Sequence, residues 1–345
     1  MSDADQPSDR MRERADERTW VLWLLLDADR RLVVSLFSAG LFLSIVGVGV
    51  LHPTPAHVLL TRGDPVETLN QALITGTITG VTLVLTLSQL VLSQELGAVG
   101  DQRDRMSGAM SFRSDVADAV ETAVSPAEPS AFLRSLVRAT KEHATAVEAA
   151  VDDDAIDGEL QDRLSAYLDS VIGNADAVTD QLDGANFGEY DVVRAALNYN
   201  YSWKLYAGRR IREQYAEDLP AGAVDRLGAL VETLELFGPA REHFKTLYFQ
   251  WELSNLSRSL LYVAVPALAV AICSEAFFDP QDFGTLTLGV ADSLWLLAAT
   301  TTVALLPFTI LLAYILRVVT ITKRTLSIGP FILRETDRSA DVDWD

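Results

Sequence analysis

The chain has 345 residues, of which 49% are hydrophobic, and its formal net charge is −20. This combination argues against one compact soluble domain and indicates that apolar and acidic residues occupy different parts of the chain. The acidity also argues against nucleic-acid binding, because no basic face is available for phosphates. The single cysteine, Cys273, excludes an intramolecular disulfide and a zinc site built from several thiolates.

Arginine predominates among the basic residues, with 24 arginines against only four lysines. Asp and Arg in place of Glu and Lys are typical of proteins from salt-in halophiles. In such proteins charge repulsion is screened over about 3 Å at 1 M salt, and the acidity maintains solubility. Binding of a cationic partner is the alternative interpretation.

Residues 1–31 are predicted to form a cytoplasmic tail and an interfacial helix. Residues 1–18 are too long and too acidic for the basic end of a signal peptide, so we expect them to be retained. The apolar run Trp20–Leu26 is too short to span a bilayer. We therefore expect it to lie at the membrane surface, with Trp20 and Trp23 at the level of the headgroups.

Four apolar segments are predicted to span the membrane as two pairs of helices. A hydrocarbon core of about 30 Å needs about 20 apolar residues, and the third segment reaches this length by extending to Ser259 and toward Phe278. Pro266 and Pro307 lie inside the third and fourth segments and predict kinks. The segments are Leu32–Leu51, Ala72–Leu92, Leu260–Ser274 and Ala291–Leu316.

The second segment carries an unusual stripe of uncharged polar residues. Their spacing of 4, 3, 4, 3 and 4 places all six on one helix face: Thr75, Thr79, Thr82, Thr86, Gln89 and Ser93. This face indicates either a water-filled path or a packed interface with hydrogen bonds between helices. Small residues predict close helix packing at Gly40, Ser44 and Gly47 in the first segment and at Gly76 and Gly80 in the second.

Positive charges predict the orientation. Fourteen Lys and Arg residues flank the four segments on the side of the termini and of the central region, whereas the two connecting loops contain only Arg62. We therefore predict a multi-pass protein of the cell membrane. The positive-inside rule places both termini and the central region in the cytoplasm.

The central region, residues 95–258, is predicted to be a helical acidic domain. Residues 101–258 contain 28 Asp and Glu against 16 Lys and Arg. Apolar positions recur every 3.5 residues from Leu133 to Val151 and again from Leu160 to Leu182, which predicts two packed helices. We expect a third helix over 189–217, a fourth that ends at Gly238-Pro239, and a fifth that continues from Ala240 into the third span.

Two junctions resemble a known family. The segments LSQELGAVGDQRDRM (Leu92–Met106) and HFKTLYFQWELSNLSRSLLY (His243–Tyr262) resemble an uncharacterised family of polytopic membrane proteins of halophilic archaea. The resemblance implies no activity. Charged residues in both segments, among them Glu95, Lys245 and Glu252, predict a collar of ion pairs beneath the membrane.

The predicted fold class is all-α, with four transmembrane helices in two pairs around an inserted helical cytoplasmic domain. The predicted domains are 1–31, 32–94, 95–258, 259–319 and a cytoplasmic tail, 320–345. The leading hypothesis is an oligomeric channel-like pore lined by the second span. The alternative is a membrane-anchored scaffold or sensor that acts through its cytoplasmic helices.

No signature of an enzyme, a metal site or a nucleotide-binding loop is present, so we expect no catalytic residue, no metal and no cofactor. The expected partners are the lipid bilayer, further copies of the same chain and a cytoplasmic protein. Nucleic acid is not among them.

Overall fold

The computed structural model describes residues 19–61, 63–151, 156–185 and 190–324. Over these residues the chain is helical apart from one small hairpin, which confirms the predicted all-α class. The helices are α1 (Thr19–Leu22), a π-helical turn (Trp23–Asp27), α2 (Arg30–Leu51), α3 (Ala56–Leu60), α4 (Pro65–Glu95), α5 (Val99–Ala119), α6 (Pro129–Ala150), α7 (Gly158–Leu182), α8 (Tyr190–Asn198), α9 (Tyr201–Gln214), α10 (Ala221–Phe277), α11 (Asp292–Ala304) and α12 (Leu306–Arg324). The hairpin consists of β1 (Leu286–Thr287) and β2 (Val290–Ala291), which are antiparallel.

The chain divides into two compact units. One contains Gly97–Phe249, and the other combines Trp23–Leu96 with Gln250–Thr320. Among the described residues, four helices are long and apolar enough to cross a membrane: Arg30–Leu51, Pro65–Gln89, the apolar part of α10 and Leu306–Lys323. Their length and composition are those of a multi-pass membrane protein.

The fourth predicted span differs from the expectation of one kinked helix. The structure has two helices, α11 and α12, with the break at Leu305. Pro307 explains the break, because it has no N–H to donate to the carbonyl of Val303 and its ring disfavours a continuous helix. Proline fits well at the start of the next helix instead. The single helix of spanning length and composition in this region is Leu306–Lys323, and α11 precedes it.

Helix α10 confirms one prediction and corrects another. It runs without interruption over Ala221–Phe277, so no loop separates Ala240 from the third span. The predicted helix boundary at Gly238-Pro239 is wrong, because both residues lie inside α10. A Cβ atom on Gly238 would lie 3.0 Å from the ring of Tyr201, so this glycine allows a close approach of Tyr201 and does not end a helix.

The core of the unit Gly97–Phe249 includes the facing sides of α6 and α7 together with buried residues of α8, α9 and α10. Leu133, Val137 and Ala144 of α6 are fully buried, as are Val171 and other members of the predicted 3.5-residue repeat in α7. The two helices pack against each other along these positions. The repeat therefore identified the inward faces of both helices from sequence.

The predicted third helix is two helices, because the chain turns at Tyr199 and Asn200. The Tyr199 hydroxyl lies 2.5 Å from Thr140 Oγ1, and its ring packs edge-on against Phe237 at 4.7 Å. The Asn174 side chain satisfies backbone groups on both sides of the turn. Its Nδ2 donates to the carbonyl of Asn198 at 2.9 Å, and its Oδ1 accepts from the N–H of Asn200 at 3.2 Å. These contacts stabilise a break that no glycine or proline marks.

Candidate functional site

The candidate site is the outward face of α4, and its position follows from the face that α4 uses for packing. Asn70, Leu73 and Val84 are buried. Val84 packs with Leu256, Leu260 and Tyr314 in one apolar cluster. The inward face of α4 is therefore directed at α10 and α12 of the same unit.

Polar contacts mark the same inward face. Asn70 Nδ2 donates to Ser274 Oγ at 3.1 Å, near the N-terminal end of α4. Thr77 Oγ1 donates to the carbonyl of Ala304 at 3.5 Å, and Ser88 is hydrogen-bonded to Ser257 further along. These polar residues are not part of the predicted stripe, and they hold α4 in its bundle.

The six stripe residues lie on the opposite face of α4. Every one of them is exposed. With 100° of rotation per residue, the middle of the stripe is about 170° away from the middle of the packed face. Within the described part of the chain no other helix buries the stripe, so its exposed surface is open to water, lipid or a second copy.

Apolar side chains border the stripe on both sides. Ile78 is 52% exposed on one side, and Leu83 and Leu87 are 62% and 50% exposed on the other. Such side chains suit contact with lipid tails. The polar stripe is therefore a narrow band on an otherwise apolar surface.

Three of the four threonines of the stripe donate their hydroxyl groups to the backbone of α4. Thr79 donates to the carbonyl of Thr75 at 2.8 Å, Thr82 to that of Ile78 at 2.8 Å, and Thr86 to that of Thr82 at 2.9 Å. This bonding to the preceding turn is common for threonine in helices, and it uses the hydroxyl hydrogen but neither of the two acceptor lone pairs on each oxygen. A threonine stripe of this kind can face either water or a packed protein interface without water.

Gln89 differs from the threonines. Its amide has two donor hydrogens and an acceptor oxygen, and the side chain makes no hydrogen bond within the described part of the chain. An exposed amide without partners is unfavourable in hydrocarbon. Each unsatisfied polar group there costs several kcal/mol, on the order of the free energy of transferring an amide from water to an apolar environment. Gln89 is therefore the member of the stripe that most requires water or a polar group of another molecule.

In the described part of the structure, the glycines predicted to mediate packing have open space where a side chain would begin. A Cβ atom on Gly40, Gly47, Gly76 or Gly80 would have nothing within 4 Å, and Ser44 donates to the carbonyl of Gly40 in its own helix at 2.7 Å. Packing of these positions against a second copy stays a prediction. Beside Gly76 and Gly80 lies an apolar groove of about 150 Å³ whose walls include Leu260, Pro307 and Phe308.

The close approach between helices occurs at Gly49, which the sequence analysis missed. A Cβ atom there would lie 2.6 Å from Leu294 Cδ2 of α11. Gly49 follows Gly47 by two residues and lies on a different face of α2, outside the four-residue spacing used to find packing glycines. No local signal distinguishes it.

The predicted collar of ion pairs is present in part. Glu252 of α10 pairs with Arg30 of α2, and Glu252 is 2% exposed. Lys245 pairs instead with Glu242 of its own helix, and Arg258 donates to Asn255. The side chain of Glu95 lies outside the described part of the structure.

Arginines join the helices around this ion pair. The guanidinium of Arg30 stacks on the ring of Tyr314 at 4.5 Å. Arg317 of α12 donates to the backbone carbonyls of Leu25, at 3.3 Å, and of Ala28. These carbonyls end the helical segment before α2, where such groups otherwise lack partners. In the sequence, Arg30 and Arg317 are two of the fourteen basic residues that predict the orientation.

Three other possible features, a metal site, the His52 loop and the threonines of α11, are weaker candidates for a functional site. Among the described residues no group of three or more His, Cys, Asp or Glu residues could hold a metal ion. In the first connecting loop His52 Nδ1 lies 3.1 Å from the N–H of Thr54, so His52 takes part in the local turn. In α11, Thr300 and Thr302 donate to carbonyls of the preceding turn.

These features define the class of the protein: an all-α chain with four candidate membrane-spanning helices, one of which has an uncovered polar face. The chain belongs to a family of unknown function (DUF7972), whose model matches residues 1–345. No curated protein and no solved structure matches the chain.

Proposed function

We propose that this protein assembles into a homo-oligomer in the cell membrane and conducts a small polar solute or an ion along the polar face of α4. One observation supports the proposal most. The stripe from Thr75 to Ser93 is exposed on the face opposite to the packed face of α4. A polar band that the described part of its own chain leaves exposed is expected where several copies surround a water-filled axis.

The proposal requires that the stripe avoids lipid. Gln89 supports this requirement, because its amide has no partner in the described part of the chain. The apolar flanks at Ile78 and Leu87 suit contacts between neighbouring copies or with lipid. In a ring of copies, the narrow polar band faces the axis and the flanks close the gaps between neighbours. In the same proposal both termini and the unit Gly97–Phe249 are cytoplasmic, and no catalytic step or cofactor is involved.

A membrane-anchored scaffold is the second candidate. The hydroxyls of Thr79, Thr82 and Thr86 donate to backbone carbonyls of their own helix. The stripe therefore also suits a dry contact between two copies, with the folded unit Gly97–Phe249 as the surface that binds a cytoplasmic protein. In this case the membrane helices only anchor and pair the chains.

The double substitution Thr82→Val with Thr86→Val tests the choice between the two functions. Valine nearly preserves the volume of threonine but removes two hydroxyl groups from the stripe. If α4 lines a conducting path, ion flux into liposomes falls while the mass of the detergent-solubilised assembly stays unchanged. If the stripe is a dry interface, the wild type shows no flux under any ion gradient.

Thr77→Val is the matched control, because it makes the same chemical change on the packed face of α4. It removes one hydrogen bond to Ala304, worth about 0.6 kcal/mol within a membrane. We expect a small loss of thermal stability and unchanged flux per assembled protein. Equal flux changes in the control and in the double variant would contradict the conducting role of the stripe.

A further inference from the structure

A cavity of about 280 Å³ lies beside the first turns of α4, at the end of the helix where the polar stripe begins. Its wall consists of the end of α3, the start of α4, the end of α10 and the residues that follow α10. All of these segments belong to the unit that combines Trp23–Leu96 with Gln250–Thr320. The cavity is therefore part of the same bundle as the polar stripe.

Four carboxylates line this cavity, which we call the acidic cavity: Asp64, Glu67, Glu275 and Asp279. None of the described residues in its wall is a lysine or an arginine. Charges of one sign in a concave wall raise the local concentration of ions of the opposite sign. The acidic cavity is therefore suited to attract a cation.

Two buried groups in the wall have unused acceptor oxygens. Asn70 is 2% exposed, and within the described part of the chain its side chain makes one hydrogen bond, from Nδ2 to Ser274 Oγ at 3.1 Å. Its Oδ1 remains able to accept. Glu275 Oε2 is also buried and has no hydrogen-bond partner among the described residues. Burial of such acceptors is costly without a compensating donor or positive charge, so the wall indicates a cationic ligand independently of its net charge.

The arrangement suits a hydrated monovalent cation better than a directly coordinated metal. Among the described residues no three carboxylate, imidazole or thiolate side chains are arranged to hold a metal ion together, whereas Ca²⁺ takes about six to eight oxygen ligands. One water needs only about 10–15 Å³ of cavity volume, so the acidic cavity has room for an ion with its water. An ion that keeps its water is held weakly enough to leave again, as conduction requires.

Gln71 connects the acidic cavity to the polar stripe. At about 100° per residue it has the same angular position around α4 as Gln89, so it extends the stripe by one turn. Its Nε2 donates to Glu67 Oε1 at 3.1 Å and to Glu275 Oε1 at 3.2 Å. The polar face of α4 therefore continues as far as two carboxylates of the cavity wall.

We propose that the acidic cavity binds a hydrated monovalent cation, and that the solute conducted along α4 is therefore a cation. This inference rests on the conducting role in the proposed function and names the class of its solute. Acidic side chains at the end of a path are the means by which cation channels exclude anions. The unused oxygens of Asn70 and Glu275 supply the acceptors for the ion and its water.

Charge selectivity of the full-length protein in planar bilayers tests the inference. A gradient of sodium chloride gives a reversal potential, and from it the ratio of Na⁺ to Cl⁻ permeability. Glu275→Gln is the test variant, because it removes the charge but keeps an acceptor for Gln71. Asp282→Asn is the matched control, since it removes an exposed carboxylate of the same loop region that does not line the cavity.

We expect the wild type to prefer Na⁺ over Cl⁻, Glu275→Gln to lower this preference several-fold, and Asp282→Asn to leave it unchanged. The NMR linewidth of sodium ions in detergent solutions of the same three proteins measures binding without flux. The wild type and Asp282→Asn are expected to broaden the sodium signal several-fold more than Glu275→Gln does. An unchanged mass in detergent shows that each variant still assembles.

The outcomes separate this inference from the proposed function. A wild type that conducts without preferring Na⁺, or equal selectivity in the two variants, would overturn the cation inference and leave the conducting oligomer in place. A wild type without flux, together with sodium broadening that only Glu275→Gln loses, would support the cation site and contradict conduction. Absence of flux together with equal broadening by all three proteins would overturn both.

Discussion

At the scale of single residues, Gly208 shows how tightly the unit Gly97–Phe249 is packed. A Cβ atom there would lie 2.5 Å from the hydroxyl oxygen of Tyr167 and 3.2 Å from Val231 Cγ2. Tyr167 is fully buried and donates to the carbonyl of Lys204 at 3.0 Å. Burial, together with the nearby Tyr199, raises the pKa of Tyr167, so the hydroxyl remains protonated and available for this bond.

Gly208→Ala is therefore expected to destabilise this unit. The added methyl group displaces Tyr167 from its hydrogen bond, and overpacking of this kind costs about 1–3 kcal/mol. Hydrogen exchange of the α7 amides in the full-length protein measures the loss of stability within this unit. Gly173→Ala in α7 is the matched control, since a Cβ atom there would meet nothing within 4 Å, and it is expected to gain about 0.5–1 kcal/mol. A neutral Gly208→Ala would show that Tyr167 moves without cost.

At the scale of elements, the ion pair between Arg30 and Glu252 connects α2 to α10. Glu252 is 2% exposed, and Arg30 also stacks on Tyr314 of α12. One arginine of α2 thus contacts two elements, α10 and α12, that are distant from it in sequence. Removal of one partner of a buried ion pair is costly because the other charge remains without compensation.

We expect Glu252→Ala to lower the free energy of unfolding in detergent by about 3 kcal/mol. Glu252→Gln, which keeps an acceptor for Arg30 but not the charge, is expected to lie between the wild type and alanine. Asp282→Ala removes an exposed carboxylate of the same unit and should change stability by less than about 0.5 kcal/mol. If Glu252→Ala and Asp282→Ala had equal effects, the pair would not contribute to the bundle.

At the scale of the whole molecule, the predicted orientation is open to a direct test. In a Cys273→Ser background, a cysteine at exposed Gln281 in the loop before α11 is expected to react with a membrane-impermeant maleimide in intact cells. A cysteine at exposed Glu148 in α6 is expected to react only after the cells are lysed. Labelling of Glu148→Cys in intact cells would contradict the cytoplasmic position of the central unit.

Much of the architecture depends on local composition and could be predicted from the sequence. Apolar segments long enough to span a membrane, the 3.5-residue repeats of α6 and α7, and the continuity of α10 from Ala240 onward are all properties of consecutive residues. The six-residue stripe on α4 also follows from spacing alone, because the helical period assigns residues to faces without knowledge of the rest of the fold.

The tertiary structure decided which surfaces meet. The break between α8 and α9 depends on Asn174. Gly238 inside α10 accommodates Tyr201, which precedes it by 37 residues. The partner of Arg30 is 222 residues away. The helical period assigns the polar residues of α4 to one face. Only the packing of α4 against α10 and α12 turns that face outward. Burial depends on contacts between segments far apart in the chain, so the sequence pattern alone does not decide it.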